Sequence, residues 1–274
     1  MRFKIDSQTL ELLVAMDECQ SLEELARRMA KDISVISRSL TRLGTSSGLI
    51  EKVRGRWRLT ALGKNMVTWA RGAISAQAAL LGEPRRLKVA TTREFSARVL
   101  APALPEFERA GYHVSVITPV GGIEAALLSG NADIALACAV PQSPDIRYER
   151  VIPEKMLAVS RDPLRTSDLQ KLSYLHYGPL ELDALESALK FELKPRFVID
   201  DLASLRALVL QGEGWAWMPA YTVKDEVHTG ALHGVALRGV EQLHFGVYVE
   251  RGRAAGLADE VAFAKKWLSR QSLG

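Results

Sequence analysis

The ten residues Ser34 to Leu43, SVISRSLTRL, decide how the first third of the chain is read. On a 3.6-residue period, Ile36, Leu40 and Leu43 share one stripe, and Ser34, Ser37, Arg38, Thr41 and Arg42 take the opposite one. This predicts an amphipathic helix with an unusual polar side. Exposed helices gain from Glu and Lys four residues apart, so an ordinary solvated face mixes signs. This face offers hydroxyls, guanidiniums and no acid, which suits an anionic partner.

Upstream, SLEELARRMA opens with a capping signature. Ser21 can accept from the amide three residues on, and Glu24 can reach back to the amide of Ser21. Lys31 is read as the break and Asp32 as the cap of the next helix, giving two short helices joined by a tight turn. Before them, Ser7 to Glu18 carries Leu10, Leu13 and Val14 at helical spacing. Downstream, GLIEKVRGRWRLTALG reads as extended runs Leu49–Val53 and Trp57–Thr60 turned about Gly55, with Arg54, Arg56 and Arg58 around the tip. That order predicts a winged helix-turn-helix. Ser34, Ser37, Arg38, Thr41 and Arg42 would face bases and phosphates of double-stranded DNA, and Arg54 and Arg56 would neutralise flanking backbone charge. Solubilising charge on a surface helix is the plainer explanation of any one basic run, but it does not account for helix, turn and wing in this order.

The bulk numbers agree. The chain has 274 residues, 47% hydrophobic and 25% charged, with a formal charge of +4, the profile of a globular protein of about two domains. Residues 1–85 hold 14 Lys+Arg against 9 Asp+Glu, whereas residues 86–274 hold 22 against 23, so the basicity is all N-terminal. Cys19 and Cys138, far apart and inside apolar runs, are expected to be buried thiols in a reducing compartment. The start, MRFKIDSQTLEL, lacks the apolar core of a signal peptide, and no run reaches the 18 or so apolar residues of a membrane span. The expected location is cytoplasmic, without a membrane partner.

From Thr60, TALGKNMVTWARGAISAQAALL places Leu62, Met66, Trp69, Ala73 and Ala76 to Leu80 along one face, a candidate dimer helix or else a connector packed on its own chain. GEPRR, Gly82 to Arg86, closes it. Beyond lie RLKVAT, HVSVIT, DIALACA and MLAVSR, short strands interleaved with the helical stretches SARVLAPALPEFERAG and GGIEAALLSGNA. After Arg161 a second set follows: SYLHY, LDALESALKFEL, RFVID, LASLRALVLQG and WAWMP. LHFGVYVE and LADEVAFAKKWLSR would then return the chain to the first lobe, with crossover strands near Val159 and Val247. Two α/β lobes with a cleft between them are expected, the setting in which hinged proteins hold small molecules. Trp215 and Trp217 are read as packing on opposite strand faces.

Together these motifs resemble the LysR-type transcriptional regulators from end to end. The N-terminal pattern is carried by ARRMAKDISVISRSLTRL, with Ser37-Arg38 and Leu43, and by RGRWRLTALG, with Arg58-Leu59-Thr60 and Gly63. LSGNADIALA and DDLASLRALVLQGEGWAWMP carry the C-terminal part. The resemblance implies an α/β protein: a mostly helical winged helix-turn-helix (1–60), a linker and dimerisation helix (61–85) and a bilobed periplasmic-binding-protein-like effector domain (86–274). Lobe I would be 86–161 and 246–274, and lobe II 162–245. It implies a homodimer or homotetramer, operator DNA and a small-molecule effector. GTSSGLIEK and the stretch Thr60 to Leu87 are short for the family. Carried over by position, Thr91, Thr92, Arg93, Thr118 and Tyr177 would face the cleft, with Gly121 and Gly122 opening a helix. Hydroxyls, helix amides and Arg93 suit a carboxylate or other small anion; otherwise the threonines merely cap the following helix and Arg93 is solvated.

Two rivals are weaker. His113, His176, His228, His233 and His244 form no metal-ligand spacing, GEGWAW lacks the third glycine of a dinucleotide fingerprint, and no nucleophile elbow or phosphate loop occurs. Neither an enzyme nor a bound cofactor or metal is therefore expected. A solute-binding receptor of the periplasmic-binding-protein type would share the cleft, but it needs an export signal and has no use for a basic wing.

Overall fold

The computed structural model describes residues 5–19, 21–81, 84–240 and 243–271. The N-terminal head consists of α1 (Ser7–Glu18), α2 (Leu22–Arg28), α3 (Ile33–Ser46) and a hairpin of β1 (Ile50–Val53) and β2 (Arg56–Leu59), followed by the 20-residue α4 (Ala61–Leu80). Its caps are local chemistry. The Asp6 side chain accepts from the Thr9 amide at 2.7 Å, and Ser21 Oγ accepts from the Glu24 amide at 3.1 Å. The break after α2 falls on Ala30, not Lys31. Ala30 takes the left-handed conformation (φ 50°), and the Lys31 amide donates back to Ala26 O, closing a helix end that glycine usually makes. Asp32 stands at the N-cap of α3 without a side-chain cap bond.

One apolar side from each head element meets in the middle: Leu12 and Leu13, Leu25, Ile36 and Leu40, Leu49 and Ile50, and Val67. The hairpin is as tight as a two-residue loop allows. Val53 pairs with Arg56, leaving Arg54 (φ 49°) and Gly55 (φ 81°) both left-handed, the combination that matches strand twist.

The rest forms two mixed five-stranded sheets. The first has the order β4-β3-β5-β12-β6 and the second β11-β7-β10-β8-β9. In the first, β3 (Arg85–Thr91) lies parallel to β4 (Tyr112–Ile117) and β5 (Ile134–Ala137), and β12 (His244–Glu250) runs antiparallel between β5 and β6 (Ile146–Pro153). In the second, β8 (Tyr174–Tyr177) is parallel to β9 (Pro195–Ile199) and β10 (Trp215–Pro219), with β7 (Met156–Ser160) and β11 (His233–Val235) antiparallel beyond. Helices cover the faces. α5 (Arg93–Phe95), a π-helical turn at Ser96–Leu100 and α6 (Ala101–Arg109) run on continuously, and α7 (Ile123–Leu128) and α11 (Ala258–Leu268) complete the first lobe. The second carries α8 (Leu182–Leu189), α9 (Leu202–Gln211) and α10 (Lys224–Thr229). The π turn precedes Pro102, which brings no N–H to the helix ladder; the Ala101 amide reaches back five residues to Ser96 O.

Several expectations shift. The chain crosses between sheets at Glu154–Lys155, so Val159 already lies in the second sheet, and β12 rejoins the first at His244; the lobe limits at 161 and 246 move accordingly. The cause is β6, IRYERVIP, whose charges hid an edge strand. Of GEPRR, Gly82 and Glu83 lie outside the described residues, and Arg85 and Arg86 are already strand, so the boundary between linker and second domain moves to β3. Trp215 and Trp217 share a face, because strand side chains repeat every two residues; both join one cluster with Leu164 and Tyr174, while Ala216 and Met218 join the other. Both cysteines are free and only partly buried.

Candidate functional site

Two surfaces emerge. The first is α3, where burial of Ile36 and Leu40 forces the opposite side outward, so that Ser34, Arg38, Thr41 and Arg42 are exposed and Ser37 is half-buried. The donors are pre-positioned by the helix itself. Arg38 Nε donates to Ser34 O at 3.2 Å, and the Thr41 hydroxyl donates to Ser37 O at 2.9 Å, which leaves the Thr41 oxygen free to accept. Beside it, β2 alternates Arg56 and Arg58 outward with Trp57 and Leu59 inward, and Arg54 holds the turn. Arg38, Arg42, Arg54, Arg56 and Arg58 are therefore all exposed. Lys52, 5.7 Å from the Trp57 ring, adds a cation the sequence reading did not single out.

The second surface is the cleft wall of the first lobe. Thr91, Thr92, Arg93 and Thr118 line a cavity of about 670 Å³ with Gly121, Gly122, Glu124 and Tyr248. Tyr177 is not among its lining residues; it stands on the second lobe, near Cys138, Glu154 and Asp201. Thr91 is 1% exposed and its hydroxyl donates to Leu136 O at 2.7 Å, so that donor stitches β3 to β5. Thr92 sits at the N-cap of α5 with no side-chain cap bond, and its hydroxyl bonds Tyr221 instead. The side chain of Arg93 is 79% exposed and pairs across the cleft with Asp201 at 3.8 Å. Arg98 makes similar inter-lobe pairs, 3.7 Å to Asp225 and to Glu226. Behind them Phe95 stacks on Phe245 with ring centroids 4.4 Å apart, and Tyr221 meets both edge-on at 5.8 Å.

The hinge also holds a group that sequence reasoning missed. Glu154, at the crossing between sheets, is 2% exposed, its amide donates to Leu243 O at 2.7 Å, and the thiol of Cys138 donates to its carboxylate. Burial pushes this carboxyl from 4.5 up to about 7. An acid raised in the folded state favours folding below its unfolded value and loses that advantage as pH rises through the folded one. Glu154→Gln should therefore stabilise the protein above pH 7 by on the order of 3 kcal/mol and make little difference below pH 4.5. Urea unfolding at the two ends of that range checks it; an equal effect at both would contradict it. Nothing in PEK, residues 153–155, signals burial, because only the sheet crossing creates it.

Among the described residues no cluster of His, Cys, Asp or Glu could hold a metal, and no helix is long and apolar enough to cross a membrane. Compared with known proteins, residues 81–263 match the family described as LysR substrate binding domain. No curated protein matches the chain. Solved structures do. CrgA, a LysR-type transcriptional regulator from Neisseria meningitidis, is 20% identical, with a TM-score of 0.55 over 97% of this chain and 98% of CrgA. Full-length CbnR complexed with its target DNA is 18% identical, with a TM-score of 0.55 over 95% of this chain and all of CbnR. DarR from Vibrio fischeri in complex with DNA is 17% identical, with a TM-score of 0.53 over 98% of this chain and all of DarR. At these identities the solved structures speak for the fold, and the family match, spanning more than half of the chain, speaks for kinship: the protein belongs to the LysR family of transcriptional regulators.

Proposed function

We propose that the protein is a sequence-specific DNA-binding regulator whose operator contacts are set by a small molecule held between the two lobes. The head is read as a winged helix-turn-helix, α4 as linker and dimer helix, and the two lobes as a periplasmic-binding-protein-like effector domain. One observation carries the DNA reading: across 14 residues α3 has no acid, buries Ile36 and Leu40, and turns Arg38, Thr41 and Arg42 to solvent, and the hairpin that follows exposes Arg54, Arg56 and Arg58. Ser34, Ser37, Arg38, Thr41 and Arg42 contact bases and phosphates at the major groove, with Arg42 on phosphate; Arg54 and Arg56 contact flanking phosphate. CbnR and DarR, each solved with DNA, support this assignment by analogy of fold. A gel-shift with the DNA upstream of the protein's own gene should give a discrete complex at low salt, and no complex there would overturn the reading.

On α4, Leu62 and Trp69 are more than half exposed, and Ile74 and Ala73 are also exposed. Met66 turns toward the head core, and the side chains of Ala76 and Leu80 lie outside the described residues. An apolar edge of this kind is covered by a second copy of the chain, which pairs two recognition helices across a twofold site.

In the cleft, Thr92, Arg93 and Thr118 face the ligand with Tyr177 on the opposite wall, and an anion competes with Asp201 for Arg93. Closure about the crossings at Glu154–Lys155 and before His244 then changes the spacing of the heads. In a thermal-shift screen of small carboxylates, a hit should lose about tenfold or more in affinity on Arg93→Ala, an effect of charged hydrogen bonds. Unchanged affinity in that variant would remove the proposed pocket.

A further inference from the structure

The head does more than hang from the end of α4. We propose that it is clamped onto the first lobe of its own chain by a polar, small-residue contact centred on Gly130, so that head and lobe move as one body.

The contact has two parts. In the head, Arg71 of α4 donates to Asp17 Oδ2 at 2.9 Å and to Glu18 Oε1 at 3.1 Å, binding α4 to the end of α1. Glu18 also pairs with Arg28, and at 3.9 Å with Lys88 of β3, already in the lobe. This ion pair lies directly on the turn after α7. A Cβ added at Gly130 (φ +77°) would sit 3.2 Å from Arg71 Nη1, 3.3 Å from Asp17 Oδ2 and 3.5 Å from Arg253 Nη1. Arg253, 7% exposed, donates to the carbonyls of Ala132 and Asp133, while its Nε and Nη1 lie buried without a hydrogen bond, 3.9 Å from Glu250 and 3.8 Å from Asp133. Four cations, Arg28, Arg71, Lys88 and Arg253, thus meet four anions, Asp17, Glu18, Asp133 and Glu250. The second part is backbone on backbone. A Cβ at Gly72 of α4 would lie 3.8 Å from Gly256 Cα, and one at Gly256 4.0 Å from Thr68 O. The pairing of Gly72 with Gly256 lets the helix and the turn at 254–257 approach closely.

Where the clamp sits gives it a use. α7 begins at Ile123, on the cleft wall, and ends one short turn before Gly130. β12 passes Tyr248, also on the cleft wall, and ends just before Arg253. Gly130 and Arg253 therefore follow closely on elements that line the cavity. A shift of the wall is carried about 10 Å to the head without passing through the connection between α4 and β3. What drives the clamp rests on the cleft being the ligand site; the clamp itself does not.

Its test uses neither DNA nor effector, so it can fail independently of that reading. In the full chain carrying Gly72→Cys and Gly256→Cys, mild oxidation should give an intrachain 72–256 disulfide in most molecules, seen as monomer on a non-reducing gel and as the linked peptide by mass spectrometry. A second variant, Gly72→Leu, improves α4 as a helix while pushing it off the turn. With spin labels on cysteines placed at Thr45 and Arg109, in a Cys19→Ser, Cys138→Ser background and diluted with excess unlabelled Cys19→Ser, Cys138→Ser chain so that each oligomer carries one labelled copy, the parent should show a single narrow distance distribution and Gly72→Leu at least a doubling of its width. Absence of the intrachain disulfide, a cross-linked dimer in its place, or equally broad distributions in both proteins would overturn the clamp.

Discussion

Binding of this protein to duplex DNA is expected to weaken about a thousandfold as salt rises from roughly 50 to 200 mM. In the proposed binding mode each subunit would offer Arg42, Arg54 and Arg56, all exposed, to phosphate, so a dimer would neutralise about six phosphates and release their counterions. The slope of log affinity against log salt should then be near −5, by the same rule of about −0.9 per phosphate. Removing one wing contact, Arg54→Ala, should make the slope shallower by about 2 in a dimer while leaving sequence preference unchanged. Arg38→Ala should behave differently. Its Nε is engaged by Ser34 O, so the two outer nitrogens are the ones that would serve bidentate recognition of a base. Loss of about 1–3 kcal/mol per half-site, with relaxed sequence preference and little change in slope, is the expected result. Anisotropy titrations at several salt concentrations separate the two signatures, and an identical response in both variants would show that α3 reads no base.

The second large effect concerns Gly63, one of the residues that carry the family resemblance. Its place in the fold explains it. A Cβ at Gly63 would lie 2.0 Å from Leu49 O and 3.0 Å from Leu49 C, backbone atoms that cannot swing aside, because α4 starts by crossing the entrance to β1. The Thr60 hydroxyl fixes the same crossing, donating to Gly48 O at 2.8 Å and accepting from the Gly63 amide at 3.1 Å. Gly63→Ala must push α4 off the hairpin and open the core at Leu49 and Val67, which should cost about 3 kcal/mol, the upper end for overpacking. Ser at Gly48, where nothing lies within 4 Å, serves as the control; it meets only the modest strain of a left-handed φ. Thermal unfolding of the two variants checks the difference, and equal melting temperatures would contradict the packing described.

What the sequence disclosed depended on how local the cause was. The period of Ser34–Leu43, the Ser21 cap and the arginine-flanked Gly55 turn are set by neighbours a few residues away, and each appears where its spacing put it. The break at Ala30 was misplaced by one residue because an alanine at positive φ carries no compositional mark. β6 escaped notice for a different reason. Only its long pairing with β12 makes it a strand, and that partner lies about a hundred residues away. The cleft was legible in outline, with Thr92, Arg93 and Thr118 around one cavity, but not in its chemistry. Thr91 spends its hydroxyl on β5, Arg93 already has Asp201, and the buried Glu154 arises from a crossing that pairing alone defines.

A photo-crosslinking residue placed at position 41, mid-helix on the acid-free side of α3, tests the account most directly. With the DNA upstream of the protein's own gene, irradiation should give a covalent protein–DNA adduct at a defined base within a twofold-related site, while the same residue at position 109, on the first lobe, should give none. Adduct formation from 109 but not from 41, or from neither under conditions where the complex is intact, would show that the duplex lies elsewhere.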